Sequence, residues 1–152
     1  MPTPVILDCD PGHDDVFAIW LAAGDPAIDL RAITTVGGNG RLDHTTYNAR
    51  VVTEPAGITG VPISAGAAGP LVRPLSPAEG IHGANALGGA ELPEPSVAAD
   101  PRTAAELVRD TLDAAGEPVT IVATGPLTNV AMFVRTYPER LSPVEDALRT
   151  LS

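Results

Sequence analysis

Pro4-Val5-Ile6-Leu7 runs directly into Asp8-Cys9-Asp10-Pro11-Gly12-His13-Asp14-Asp15. The first four residues are a short apolar run, as expected of a strand buried on both faces. Four carboxylates follow within eight residues. Like charges packed this closely raise one another's pKa and cost stability unless something positive lies among them. Hard oxygen ligands in this density suit Ca²⁺ or Mg²⁺ rather than zinc. Asp14 and Asp15 would also be favoured simply by the first turn of a helix, at ~0.3–1 kcal/mol each. That does not account for Asp8 and Asp10, on the strand side of the turn.

Working outward, the pattern alternates. From His13 to Ala23, Val16, Phe17, Ile19, Trp20 and Leu21 surround most of a helix that Gly24 would end, with Trp20 read as core. Asp29–Val36 reads as a second strand, closed by Gly37-Gly38-Asn39-Gly40. A helix follows over Leu42–Thr53, broken by Pro55 and Gly57, then a third short strand over Val61–Ala65. Residues 66–95 form a Gly-, Pro- and Ala-rich loop without sustained period, and loops of that length in compact domains are functional or disordered. Asp100 as N-cap, Pro101 at the first helical position and Gly116 past the end mark the next helix. Its apolar face comprises Leu107, Val108, Thr111, Leu112 and Ala115. Val119–Ala123 is a fourth strand, Thr124-Gly125-Pro126 a tight turn, and Leu127–Tyr137 a last helix. Strands alternating with helices predict an α/β fold: an open, mostly parallel sheet with helices on both faces. The turns after three of its strands would meet at the carboxyl ends, where such sheets bind ligands.

Bulk properties narrow the partners. The net charge is −10, every one of the nine basic residues is arginine, and aromatic residues are 3%. Nucleic acid is therefore not the expected partner. No apolar run approaches the ~20 residues that span a bilayer, and the amino terminus has no secretory pattern. Cys9 is the single cysteine, which excludes an internal disulfide and fits a cytoplasmic location. Between Asp8 and Asp10 with no base partner in view, it reads as small buried packing.

A strand entering Asp-x-Asp is shared with the haloacid-dehalogenase-type phosphatases. Their pattern places a Thr two residues after the second Asp, where Gly12 stands, and needs a lysine, which this chain lacks. The block Asp8–Asp15 instead resembles, residue for residue, the amino-terminal signature of the inosine/uridine-preferring nucleoside hydrolases, in the form closest to bacterial pyrimidine-preferring members. The likeness continues at Thr34-Thr35-Val36-Gly37-Gly38-Asn39, Ile81-His82-Gly83 and Ala123-Thr124-Gly125-Pro126-Leu127-Thr128-Asn129.

The resemblance implies a Rossmann-like core and hydrolysis of the N-glycosidic bond of small ribonucleosides to free base and ribose, in nucleoside catabolism and salvage. It implies Asp10 as general base and metal ligand, Asp15 and the carbonyl of Thr124 as further Ca²⁺ ligands, Asp14 and Asn39 as ribose contacts, and His82 beside the base or leaving group. It also implies a homo-oligomer in the full-length family. Other roles compete at several positions. Asn39 could serve only its turn, Thr128 and Asn129 could cap a helix, and His44 reads as a solvated helix residue. Family domains are about twice this length. Residues 1–152 are therefore expected to be the amino-terminal part of one truncated domain, lacking an Asp ligand and a late His. A non-catalytic remnant of the fold is the competing reading for this chain. One local departure stands out: Ala86 replaces a glycine in the run Ala84–Gly89 after His82-Gly83.

Overall fold

The computed structural model describes residues 1–83 and 85–140. The opening apolar run becomes strand β1 (Thr3–Cys9), buried at every position but Thr3. Helix α1 (His13–Gly24), strand β2 (Ile28–Thr35), helix α2 (Leu42–Thr53) and strand β3 (Ile63–Ala65) follow. A single helical turn, α3 (Glu79–His82), interrupts the long loop. Helix α4 (Ala104–Ala114), strand β4 (Thr120–Ala123) and helix α5 (Thr128–Thr136) complete the regular elements, with a 3₁₀ turn at Pro138–Arg140.

All pairings are parallel and the strand order is β3-β2-β1-β4. The chain therefore steps outward from β1 to β3, then crosses back to place β4 on the other side of β1. The carboxyl ends of β1 and β4 flank the point where the winding reverses, the place at which open α/β sheets form a ligand crevice.

Alternation along β1 sends side chains to two different cores. Leu7 and Cys9 join Ile19, Ile33, Val52 and Ile63 under α1 and α2. Ile6 joins Ala32, Leu107, Val108 and Phe133 under α4 and α5. Helices thus cover both faces of the sheet, the α/β architecture the sequence predicts.

Three local expectations are corrected. Helix α4 begins three residues later than Asp100-Pro101 suggested: Thr103 is the N-cap, accepting from the Glu106 amide at 3.3 Å while the Glu106 carboxylate accepts from the Thr103 amide at 2.8 Å. Asp100 instead bonds the Arg102 amide and guanidinium, and its own amide donates to the Ile63 carbonyl, fastening the loop to β3. Trp20 is not core. It is 39% exposed, stacks edge-on against the 68% exposed Phe17, and donates its indole N–H to the Val52 carbonyl at 2.8 Å. A nearly all-apolar helix can bury only one side, and here Asp15, Ile19 and Ala22 take it. Finally, α5 starts at Thr128 with Leu127 as N-cap, so neither Thr128 nor Asn129 caps it.

Candidate functional site

Asp10 sits immediately beyond the carboxyl end of β1 and is only 4% exposed. Its Oδ2 accepts from the Asn39 amide at 2.6 Å, and the Asn39 side-chain amide donates back to the Asp10 carbonyl at 3.1 Å. The turn after β1 is thereby locked to the turn after β2. The Asp10 amide donates to Asp15 Oδ2 at 3.2 Å, which folds the first turn of α1 over the same carboxylate. On the other side, the Thr124 and Gly125 amides donate to the Asp8 carbonyl at 2.9 and 3.3 Å, drawing the turn after β4 alongside. The fit is close. A methyl at Gly38 would collide with Asp10 Oδ2, and one at Gly125 would lie 2.8 Å from Asp10 Oδ1.

This enclosure has an electrostatic consequence. Burial pushes the Asp10 carboxyl up to about 7; the Asn39 amide pulls against that shift, and the neighbouring Asp15 carboxylate adds to it. A carboxylate with a pKa near neutrality is suited to accept a proton from water. Cys9, fully buried, has its thiol pushed further from ionisation by burial and by Asp15, Asp8 and Asp10, which agrees with packing.

His82 reaches the same place from the long loop. The Ala78 amide donates to the Asn39 carbonyl at 3.1 Å, and the His82 amide to the Ala78 carbonyl at 2.9 Å, hanging α3 from the β2 turn. Asn48, buried on α2, gives its side-chain N–H groups to the carbonyls of Pro11 (3.0 Å) and Asn85 (2.9 Å), fixing both loops to one post. His82 meets His13 edge to edge through their Nδ1 atoms, 3.2 Å apart, and lies so near Gly12 that a methyl there would be 2.8 Å from its Nδ1. Asp14 is exposed in the first turn of α1, and Thr124 is exposed beyond β4. Asp10, Asp15, Asn39, His82 and the Thr124 turn are thus brought together at one end of the sheet.

The structure separates Asp8 from this group. Adjacent to Cys9 but of opposite parity, it faces the α4/α5 side, where Oδ1 accepts from Thr34 Oγ1 at 2.6 Å and from Asn129 Nδ2 at 2.7 Å. Its Oδ2 is buried without a partner among the described residues, and burial raises its pKa. Asn129 also donates to the Thr35 carbonyl at 2.9 Å and accepts from the Ala67 amide at 2.8 Å, with Gly66 leaving no room for any larger neighbour. Asn129, Asn48 and His13 went unrecognised as site-building residues in the sequence. For Asp8 the signal was present: Ile6 and Asp8 share parity in a strand and so share a face. Ala86 is buried with φ of 64°, a left-handed conformation that explains the glycine of the family pattern. Ala84 lies outside the described residues.

Two carboxylates, Asp10 and Asp15, and the Thr124 carbonyl are a hard-oxygen set of the kind Ca²⁺ takes. Among the described residues Asp10 Oδ1 accepts no hydrogen bond, and a cation would offset the burial cost of this carboxylate. The residues fit the ion in chemistry but supply only part of its usual shell: no group of three or more His, Cys, Asp or Glu side chains able to hold a metal occurs among the described residues. A cleft of about 380 Å³ lined by Trp20, Ile28, Leu30, Ile58 and Val61 lies at the opposite end of the sheet and contains none of these residues.

A sequence profile described as inosine-uridine preferring nucleoside hydrolase matches residues 5–147. The pyrimidine-specific ribonucleoside hydrolase RihA of Citrobacter koseri is 48% identical over 139 residues, covering 91% of this chain and 45% of that protein. The protein of the same name from Photobacterium profundum is 43% identical, covering 95% and 47%. Among solved structures, a plant nucleoside hydrolase, PpNRh1, superposes with TM-score 0.84 at 36% identity, covering 91% of this chain and 44% of that one. A purine-preferring ribonucleoside hydrolase from Gardnerella vaginalis gives 0.83 at 30%, covering 90% and 45%. The chain spans about half the length of the relatives it matches.

Proposed function

The chain belongs to the inosine-uridine preferring nucleoside hydrolase family, and from that premise we propose that its acidic turn is the ribose- and metal-binding part of a site that cleaves the N-glycosidic bond of ribonucleosides. The observation that carries this reading is the meeting of Asp10, Asp15, Asn39 and His82 where the sheet's winding reverses.

Cleavage of an N-ribosidic bond passes through a ribosyl cation, so the protein must place negative charge beside the sugar and deprotonate the attacking water. Asp10 is the base, its Oδ1 being free of hydrogen bonds among the described residues and so able to take that proton. Asp14 and the Asn39 side chain receive ribose hydroxyls, and His82 lies on the side from which the base departs. Asp10, Asp15 and the Thr124 carbonyl would hold Ca²⁺, which when bound supplies Lewis acidity and a template for ribose hydroxyls. The relatives' names divide between pyrimidine and purine substrates, so uridine, cytidine and inosine are all substrates to try. A cytoplasmic location is in keeping with a single cysteine that has no disulfide partner in the chain.

The test is release of ribose from these three nucleosides with and without Asp10→Asn, at saturating calcium. Turnover is expected to fall by ~10²–10⁴-fold in the variant, the usual weight of a general base. Undiminished turnover removes Asp10 from that role. A second reading, a ribose- or calcium-binding domain without turnover, is favoured by the small carboxylate set around Asp10. Calcium uptake by calorimetry with no ribose released from any of the three would select it.

A further inference from the structure

We infer that His13 is a positioning residue for His82, holding its ring in the tautomer that carries its proton on Nε2. The inference rests on the nucleosidase reading for its purpose, though not for its geometry. The two Nδ1 atoms stand 3.2 Å apart, with the rings inclined by 29° and their centroids 5.4 Å apart. Two imidazole lone pairs repel at that distance, and so do two N–H groups, so a single proton lies between the rings. Whichever ring donates through Nδ1 is left, when neutral, with a bare Nε2; the acceptor keeps its proton there.

The setting of each ring argues for the direction. His82 is half-buried and clamped: its amide and carbonyl are both engaged, the latter accepting from the Gly88 amide at 2.6 Å, and Gly12 packs against its Nδ1 edge. Its Nδ1 faces His13 Nδ1, and its Nε2 is the atom left for a ligand. His13 is exposed at the start of α1, with its Nε2 directed past Gly88 (a methyl there would be 3.1 Å away). Water can satisfy a bare Nε2 on His13. With His13 Nδ1–H donating, His82 presents an N–H as a hydrogen-bond or proton donor for a departing base. With the direction reversed it could only accept.

The 152-residue chain labelled with ¹⁵N at histidine decides this, by long-range proton–nitrogen correlation at a pH of ~8.5, well above histidine's ordinary ~6.5. His82 is expected as the Nε2–H form with a hydrogen-bonded Nδ1, and His13 as the less common Nδ1–H form. His82→Ala should return His13 to Nε2–H. In His13→Ala the Nδ1 of His82 should lose its hydrogen-bond shift, and His13→Asn, whose amide N–H can occupy the place of Nδ1, should restore it. Finding His82 as Nδ1–H, or a His82 spectrum indifferent to His13→Ala, overturns the inference. Neither result depends on turnover. Absence of ribose release would count against the nucleosidase reading alone, and a wrong tautomer against the pairing alone.

Discussion

Asn129 does the work of several residues at once. Its side chain serves a buried carboxylate on β1, the last carbonyl of β2 and the amide of Ala67 beyond β3. Asn129→Ala strands the Ala67 amide, at ~1–3 kcal/mol, and takes one donor each from Asp8 Oδ1 and the Thr35 carbonyl, which keep Thr34 Oγ1 and the Gly66 amide. The expected loss is ~2–4 kcal/mol in denaturant unfolding, and a loss below ~1 kcal/mol would show that water replaces the amide. Nothing in Leu-Thr-Asn distinguishes such a strut from a helix cap, because both roles ask for a short side chain with an oxygen. Asp10, Asp15, Asn39 and His82 were legible in the sequence through the family signature. Asn48 and His13 were not, since their partners are 37 and 69 residues away and only folding makes them neighbours.

Among the elements, the strands were the easiest to read and the helix ends the hardest. Apolar runs bounded by Gly and Pro placed all four strands within a few residues. Helix α4 misled because Asp100-Pro101 imitates a start, whereas Thr103-x-x-Glu106 provides the reciprocal hydrogen bonds of a true one. Thr103→Ala should therefore cost ~1 kcal/mol of stability by chemical denaturation, within the ~0.5–2 range for such caps. An unchanged midpoint would mean that the packing of Leu107 and Val108 alone sets this end. Helix α1 misled differently. Apolar side chains lie nearly all round it, so periodicity could not say that Trp20 and Phe17 would face outward. Acrylamide should quench Trp20 fluorescence readily; a shielded, blue-shifted emission would contradict the exposed position.

For the molecule as a whole, acidity has two opposed effects. Asp8 and Asp10 have raised pKa values in the fold, so the stability they contribute is complete below a carboxylate's unfolded value and is lost as pH rises through the folded one, about 7 for Asp10. Asp100, held down to about 2 by Arg102, contributes stability above its unfolded value that is lost as pH falls through the folded one. Without metal, thermal unfolding should accordingly move to lower temperature between pH ~4 and ~7, from a carboxylate's ordinary value to the folded value of Asp10. Millimolar calcium should reverse much of that fall at the upper end, if Asp10 and Asp15 hold the ion. A flat profile would mean that solvent reaches Asp10 freely. The parallel α/β architecture was foreseeable from strand–helix alternation; the strand order, and with it the winding reversal beside β1, was not. The side taken by Asp8 was equally available in the parity of β1; Asp10 shares that parity and departs from it because the strand ends at Cys9.

The glycines that wall in Asp10 carry a warning for anyone mapping this protein by saturation mutagenesis. Gly38 and Gly125 do no chemistry, yet a single extra carbon at either would shoulder the carboxylate aside. A tolerance map would therefore score these mute spacers as severely as the aspartate itself, and the outline it drew around that carboxylate would be mostly empty volume.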